Sequence, residues 1–162
     1  MIFSRPFRIV IIDDDESILN LLWKYLSQIS GDEITFSAFT EPEEAMAFVE
    51  QHQVHIVITD LHLEDRNGAD IITRCLKMEK GIQVIALSGD DRLLTAIDCF
   101  NRGAKYFLNK PVDKEAFQET IKSCVDFLDL WHKLLKNKLS SQSSRSKNEE
   151  EDKEKKEELA LN

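Results

Sequence analysis

Six polar residues fall at the carboxyl ends of short apolar runs. Asp13, Asp14 and Asp15 follow residues 8–12 (RIVII), and Asp60 follows 55–59 (HIVIT). Ser88 follows 83–87 (QVIAL), and Lys110 closes the run that starts at 105. Carboxylates gathered at one place repel and raise one another's pKa unless a cation sits among them. A donor set made only of oxygen suits Mg²⁺, a hard ion that takes one or two carboxylates with phosphate and water. No His/Cys cluster competes for a softer metal. A carboxylate is also a nucleophile toward phosphorus and forms an acyl phosphate. Lys110 would then bind a phosphate oxygen as a point charge and the Ser88 hydroxyl would hydrogen-bond another. A lone strand-end aspartate is commonly a solvated loop residue. A set spread over the ends of four different apolar runs is not.

The elements that must position these residues are legible as an alternation. The runs at 8–12, 55–59 and 83–87 are too short for helices and rich in Ile and Val, as strands buried on both faces are. Ile34, Phe36 and Ala38 alternate as in a half-buried strand, and 105–108 supplies a fifth. Between them, Ile18, Leu22, Tyr25, Leu26 and Ile29 recur at helical spacing up to Gly31. Thr40-Glu41-Pro42-Glu43 places proline just inside a helix start. Residues 69–78 and 92–101 are helical, and Asp113 caps a last helix. Five βα units in strict alternation imply an α/β, doubly wound parallel sheet with helices on both faces. Ligands in such sheets bind outside the carboxyl ends of the strands, which is where the six residues stand.

Over residues 7–126 the chain resembles the receiver domain of two-component response regulators. The motifs are IVIIDDDES, IVITDLHLEDRNG with Gly68 eight residues after Asp60, Ser88-Gly89 after VIAL, and GAKYFLNKP with Gly103-Ala104 and Lys110-Pro111. The resemblance implies a flavodoxin-like sheet of strand order 2-1-3-4-5. It implies that Asp60 is the phosphoacceptor. It has Asp14 ligate Mg²⁺ directly, Asp13 act mainly through water, and the His62 backbone carbonyl complete the protein ligands. Ser88 would be the switch hydroxyl and Phe107, three before the lysine, the switch aromatic. The Lys110-Pro111 bond would be cis. The phosphoryl donor would be a sensor histidine kinase or a phosphotransfer protein, and the chain a stand-alone response regulator rather than a metabolic enzyme. His62 and Asp90 occupy positions that tune phosphoryl lifetime in such domains. Ser88 stands where threonine is commoner, and Glu64 where the following loop usually has proline.

Two other classes compete. Asp13-Asp14-Asp15-Glu16-Ser17 fits the opening motif of haloacid-dehalogenase-like phosphohydrolases, with Asp13 as nucleophile and Asp15 as acid/base. That family also needs an acidic pair after a strand beyond the lysine, and the chain after Lys110 reads as helix. The third class is a receiver fold used only for docking, without phosphorylation.

Composition bounds the partners. A net charge of −9 argues against non-specific DNA or anionic-membrane binding. No apolar run reaches a membrane span of roughly 20 residues. A cytoplasmic location is expected. Cys75, Cys99 and Cys124 lie on apolar helical faces and read as small hydrophobes, and His52, His55 and His132 as surface or packing residues. The 162 residues exceed what the receiver needs. We expect a domain over 1–126, an extension of the last helix over 127–139, and a charged, disordered tail over 140–162. Phe117, Ile121, Cys124, Leu128, Trp131 and Leu135 step by four and three as in a coiled-coil seam, with Phe127, Leu130 and Leu134 as a second stripe. The extension is expected to be an interaction surface, for a downstream protein target or for a homodimer.

Overall fold

A computed structural model of the chain describes residues 5–29, 33–63 and 66–160, with backbone alone for 66–67 and 141–160. Five strands, β1 (Phe7–Ile12), β2 (Ile34–Phe39), β3 (Ile56–Asp60), β4 (Gln83–Ser88) and β5 (Tyr106–Asn109), alternate with five helices. The helices are α1 (Glu16–Ser27), α2 (Pro42–Gln51), α3 (Ala69–Lys77), α4 (Leu93–Asn101) and α5 (Lys114–Ala160). All four pairings are parallel, and the strand order is β2-β1-β3-β4-β5, as the resemblance implies. The chain divides into two compact units, Met1–Asp126 and Phe127–Asn162.

The Ile/Val runs form the centre of the sheet because both of their faces are covered. Ile9 to Ile12, Ile56 to Ile58 and Ile85 to Leu87 are fully buried. Alternate side chains leave a strand on opposite faces. Val10, Ile12, Val57, Val84 and Ala86 face Met46 and Val49 of α2, Ile72 and Cys75 of α3 and Cys99 of α4 in one apolar cluster. The opposite face lies under α1 and the first turns of α5. There the Tyr25 and Phe117 rings pack at a tilt with centroids 6.0 Å apart, and Gln118 donates to the Tyr25 carbonyl. Each fully buried Ile, Leu or Val contributes on the order of 2 kcal/mol. The three cysteines are free and buried, and burial pushes the Cys75 and Cys124 thiols up to about 12. His55 is a packing residue: its Nδ1 accepts from the Arg8 N–H, and its ring meets Phe7 edge-on.

Local signals place the helix starts that flank the site. Asp15 caps α1 by accepting from the Ser17 N–H at 2.8 Å, and Pro42 opens α2. Asp113 Oδ1 accepts from the Ala116 N–H at 2.8 Å at the start of α5. Gly31, read as the end of the first helix, lies outside the described residues.

The last helix differs from expectation in length. It runs unbroken to Ala160, where the sequence pattern ends it near 139 and leaves 140–162 as a disordered tail. The charged composition that argued for a solvated tail is also helix-compatible. No Gly or Pro follows Pro111, and Glu149–Lys153, Glu151–Lys155 and Asp152–Lys156 are acid-to-lysine spacings of four, the favourable helical order. Among the described residues no helix is long and apolar enough to cross a membrane.

Removing the Asp113 cap leaves an orphan N–H at the start of α5. Asp113→Ala should cost about 1 kcal/mol in denaturant unfolding. An unchanged midpoint would show that the α5 start is held by packing alone.

Candidate functional site

The parallel alignment brings the strand-end residues to one edge of the sheet. Asp13 and Asp14 follow β1, Asp60 ends β3 and Ser88 ends β4, with Asp60 in register with Leu87. The Leu61 N–H donates to the Leu87 carbonyl and the Lys110 N–H to the Ser88 carbonyl, so the chain leaves each strand along its neighbour. The Lys110-Pro111 bond is cis.

At the centre, Lys110 Nζ lies 2.7 Å from Asp13 Oδ2 and 2.9 Å from Asp60 Oδ2. The Asp13 side chain is fully buried and that of Asp60 nearly so. Two buried carboxylates without a counter-charge would be strongly unfavourable, and the lysine supplies that charge. The other Asp13 oxygen accepts from the Asp15 N–H at 2.9 Å, and Asp60 Oδ1 accepts from the His62 N–H at 3.3 Å. Burial pushes the Asp13 carboxyl above its ordinary value, against the pull of Lys110 and the Asp15 N–H. Burial acts to lower the Lys110 ammonium, but its bonds to Asp13 and Asp60 outweigh it and hold the group raised and charged.

Carboxylate oxygens of Asp13, Asp14 and Asp60 lie within 4.8 Å of one another. Asp60, His62, Gly89, Asp90, Arg92 and Lys110 line an open cleft of about 580 Å³ beside them. Ser88 is buried on the neighbouring strand, where its Oγ accepts from the Asp90 N–H at 3.0 Å. Phe107 is not part of the cleft lining. It is partly buried on β5 and packs on the α2–α4 core.

Two features were missed from sequence. After Asp60 the chain forms a short antiparallel hairpin, His62–Leu63 with Arg66–Asn67. Arg92 also lines the cleft. Asp90 grips its guanidinium with contacts of 2.6–2.9 Å and takes a hydrogen bond from Thr95 Oγ1 at 2.7 Å. The Arg92 bonds hold the Asp90 carboxyl well below the usual range. The only advance signal for Arg92 is its place at the expected start of the helix that follows a central strand.

The family model for the response regulator receiver domain matches residues 9–122. The chain belongs to the response regulator receiver family. Among curated relatives, the DNA-binding transcriptional regulator NtrC of Azospirillum brasilense is 34% identical over 107 residues, 65% of this receiver chain and 21% of that protein. The transcriptional regulatory protein GlrR of Escherichia coli is 26% identical over 122 residues, 75% of this chain and 27% of that protein. The receiver chain thus spans about a quarter of the length of these relatives. The CheY-like receiver domain of Methanospirillum hungatei superposes with a TM-score of 0.67 at 28% identity, covering 76% of this chain and 96% of that one. A receiver domain from Clostridium thermocellum gives 0.68 at 26%, covering 77% and 98%.

The structure also accounts for the receiver glycine eight residues after Asp60. A Cβ on Gly68 would stand 1.8 Å from the Asp60 carbonyl oxygen and 2.8 Å from Leu61 Cα. The Gly68 N–H donates to the Leu61 carbonyl, so the segment after the hairpin lies against the backbone that carries Asp60. Gly68→Ala must displace that backbone and should cost at least about 2 kcal/mol. Denaturant unfolding checks this, and a wild-type midpoint would contradict the close approach.

Proposed function

We propose that this chain is a phosphoacceptor switch: Asp60 takes a phosphoryl group from the phosphohistidine of a histidine kinase or phosphotransfer protein, and the change is read through protein contacts. The observation that carries this reading is the Asp13–Lys110–Asp60 bridge at the mouth of an open cleft. It holds a nearly buried carboxylate at the cleft wall beside a fixed positive charge. An Asp60 oxygen forms a P–O bond as the donor's P–N bond breaks, and the departing imidazole takes a proton from solvent. Lys110 stays charged and lies where it can hold a phosphoryl oxygen, which stabilises charge without moving a proton.

The donor set fits Mg²⁺: clustered carboxylate oxygens, no soft ligand among them, and an open side facing solvent. Asp14, Asp13 largely through water, Asp60 and the His62 carbonyl would hold it. When bound, Mg²⁺ neutralises charge on the transferring phosphoryl group. Ser88 Oγ accepts from the Asp90 N–H, which leaves its hydroxyl proton to donate to a phosphoryl oxygen. Movement of Ser88 would pull on the β4–α4 loop, and Phe107 on β5 would repack, a two-state population shift biased by local charge.

The phosphohydrolase reading has less support. Asp15, its acid/base, is engaged in capping α1. Beyond Lys110, no further strand occurs among the described residues.

The test is incubation with acetyl phosphate and Mg²⁺, followed by peptide mapping of the acyl phosphate by mass spectrometry. One phosphoryl group is expected at Asp60. It should be absent in Asp60→Asn and suppressed by EDTA. Modification at Asp13 instead would overturn the assignment and favour the phosphohydrolase. No modification of a folded chain would favour the docking module.

A further inference from the structure

Beyond Asp126, α5 carries an apolar stripe that the switch reading does not use. Phe127, Leu130, Trp131 and Leu134 are all exposed, Leu130 at 55% and Leu134 at 46%. Phe127 and Trp131 meet edge-on with ring centroids 6.4 Å apart. The spacing of three, one and three puts all four on a strip about 100° wide, the width of a helix-docking face. Exposed aromatic and leucine side chains grouped in this way mark a contact surface.

The charges beside the stripe select its occupant. Asp126 and Lys133 are both exposed and seven residues apart, so they lie on the same edge of the stripe. They flank Leu130 four residues before it and three after it. The segment is acidic at its start (Asp126, Asp129) and basic at its end (Lys133, Lys136, Lys138). A second copy run antiparallel about a two-fold axis between Leu130 and Trp131 sets Phe127 opposite Leu134. It also brings Asp126 within about 3 Å, along the axis, of the partner's Lys133 level. Two-fold symmetry makes that pairing twice. A parallel copy in register would put the two Asp126–Lys133 edges on opposite sides of the seam, so neither pairing could form. Flanking charges of this kind decide partner and orientation between helices.

We propose that the Phe127–Leu130–Trp131–Leu134 stripe is the docking surface for a second copy of this chain, with the two helices antiparallel. The contact covers only two helical turns, so the dimer belongs to the weak, concentration-dependent class. The proposal stands whether or not Asp60 is phosphorylated.

Sedimentation equilibrium of the full chain tests it. A monomer–dimer equilibrium is expected. Leu130→Ser should abolish dimerisation. Asp126→Lys and Lys133→Asp should each weaken it on the order of tenfold, and the double variant should restore it, because two exposed ion pairs are exchanged and then re-formed. Circular dichroism of each variant verifies folding. The charge variants alter exposed positions only, so they decide the matter even if Leu130→Ser folds poorly. A chain that stays monomeric at all concentrations would overturn the proposal. So would a dimer indifferent to these variants, or a double variant that does not recover.

Discussion

The structure turns on one electrostatic constraint: two buried carboxylates, Asp13 and Asp60, share the ammonium of Lys110. The three residues are far apart in the chain and come from the ends of β1, β3 and β5. A parallel sheet of this strand order, with β1 beside β3 and only β4 between β3 and β5, gathers them at one edge. The cost of burying the carboxylates is offset by the lysine and by backbone N–H groups from Asp15 and His62. The bridge is therefore a restraint on the strand ends, and whatever competes for Lys110 perturbs all three.

The surroundings serve that centre. Gly68 lies against the Asp60 backbone where no side chain fits. The Lys110 N–H donates to the Ser88 carbonyl and ties the end of β5 to β4. On the far side of Ser88, the Asp90–Arg92–Thr95 contacts connect the cleft rim to the first turn of α4. A charge change in the cleft thus has a covalent and hydrogen-bonded route to α4, whose outward side is apolar at Leu93, Leu94 and Phe100.

The parts of this arrangement that were legible in the sequence follow from local rules. Continuous Ile/Val runs can only be central strands, and once they are parallel their carboxyl ends must converge. Asp13, Asp14, Asp60, Ser88 and Lys110 follow from that convergence alone. The Asp113 cap was legible because capping chemistry is local. The hairpin after Asp60 was not, since two-residue strands leave no periodicity. Arg92 was not, because its place depends on the grip of Asp90 rather than on spacing. The length of α5 is not legible, because Glu- and Lys-rich sequence is compatible with both a solvated tail and a helix, and composition alone does not separate them.

The central claim is that the acidic cluster and Lys110 form a charge centre whose occupation is transmitted to Ser88 and Phe107. NMR of the isotopically labelled chain, titrated with Mg²⁺ and then beryllofluoride as a phosphoryl mimic, tests it most directly. Mg²⁺ alone should shift signals of Asp13, Asp14, Asp60 and His62. The mimic should then move Lys110, Ser88, Phe107 and the start of α4. A response confined to the cleft, with Ser88 and Phe107 unmoved, would contradict the switch, and no response to either addition would contradict the site itself.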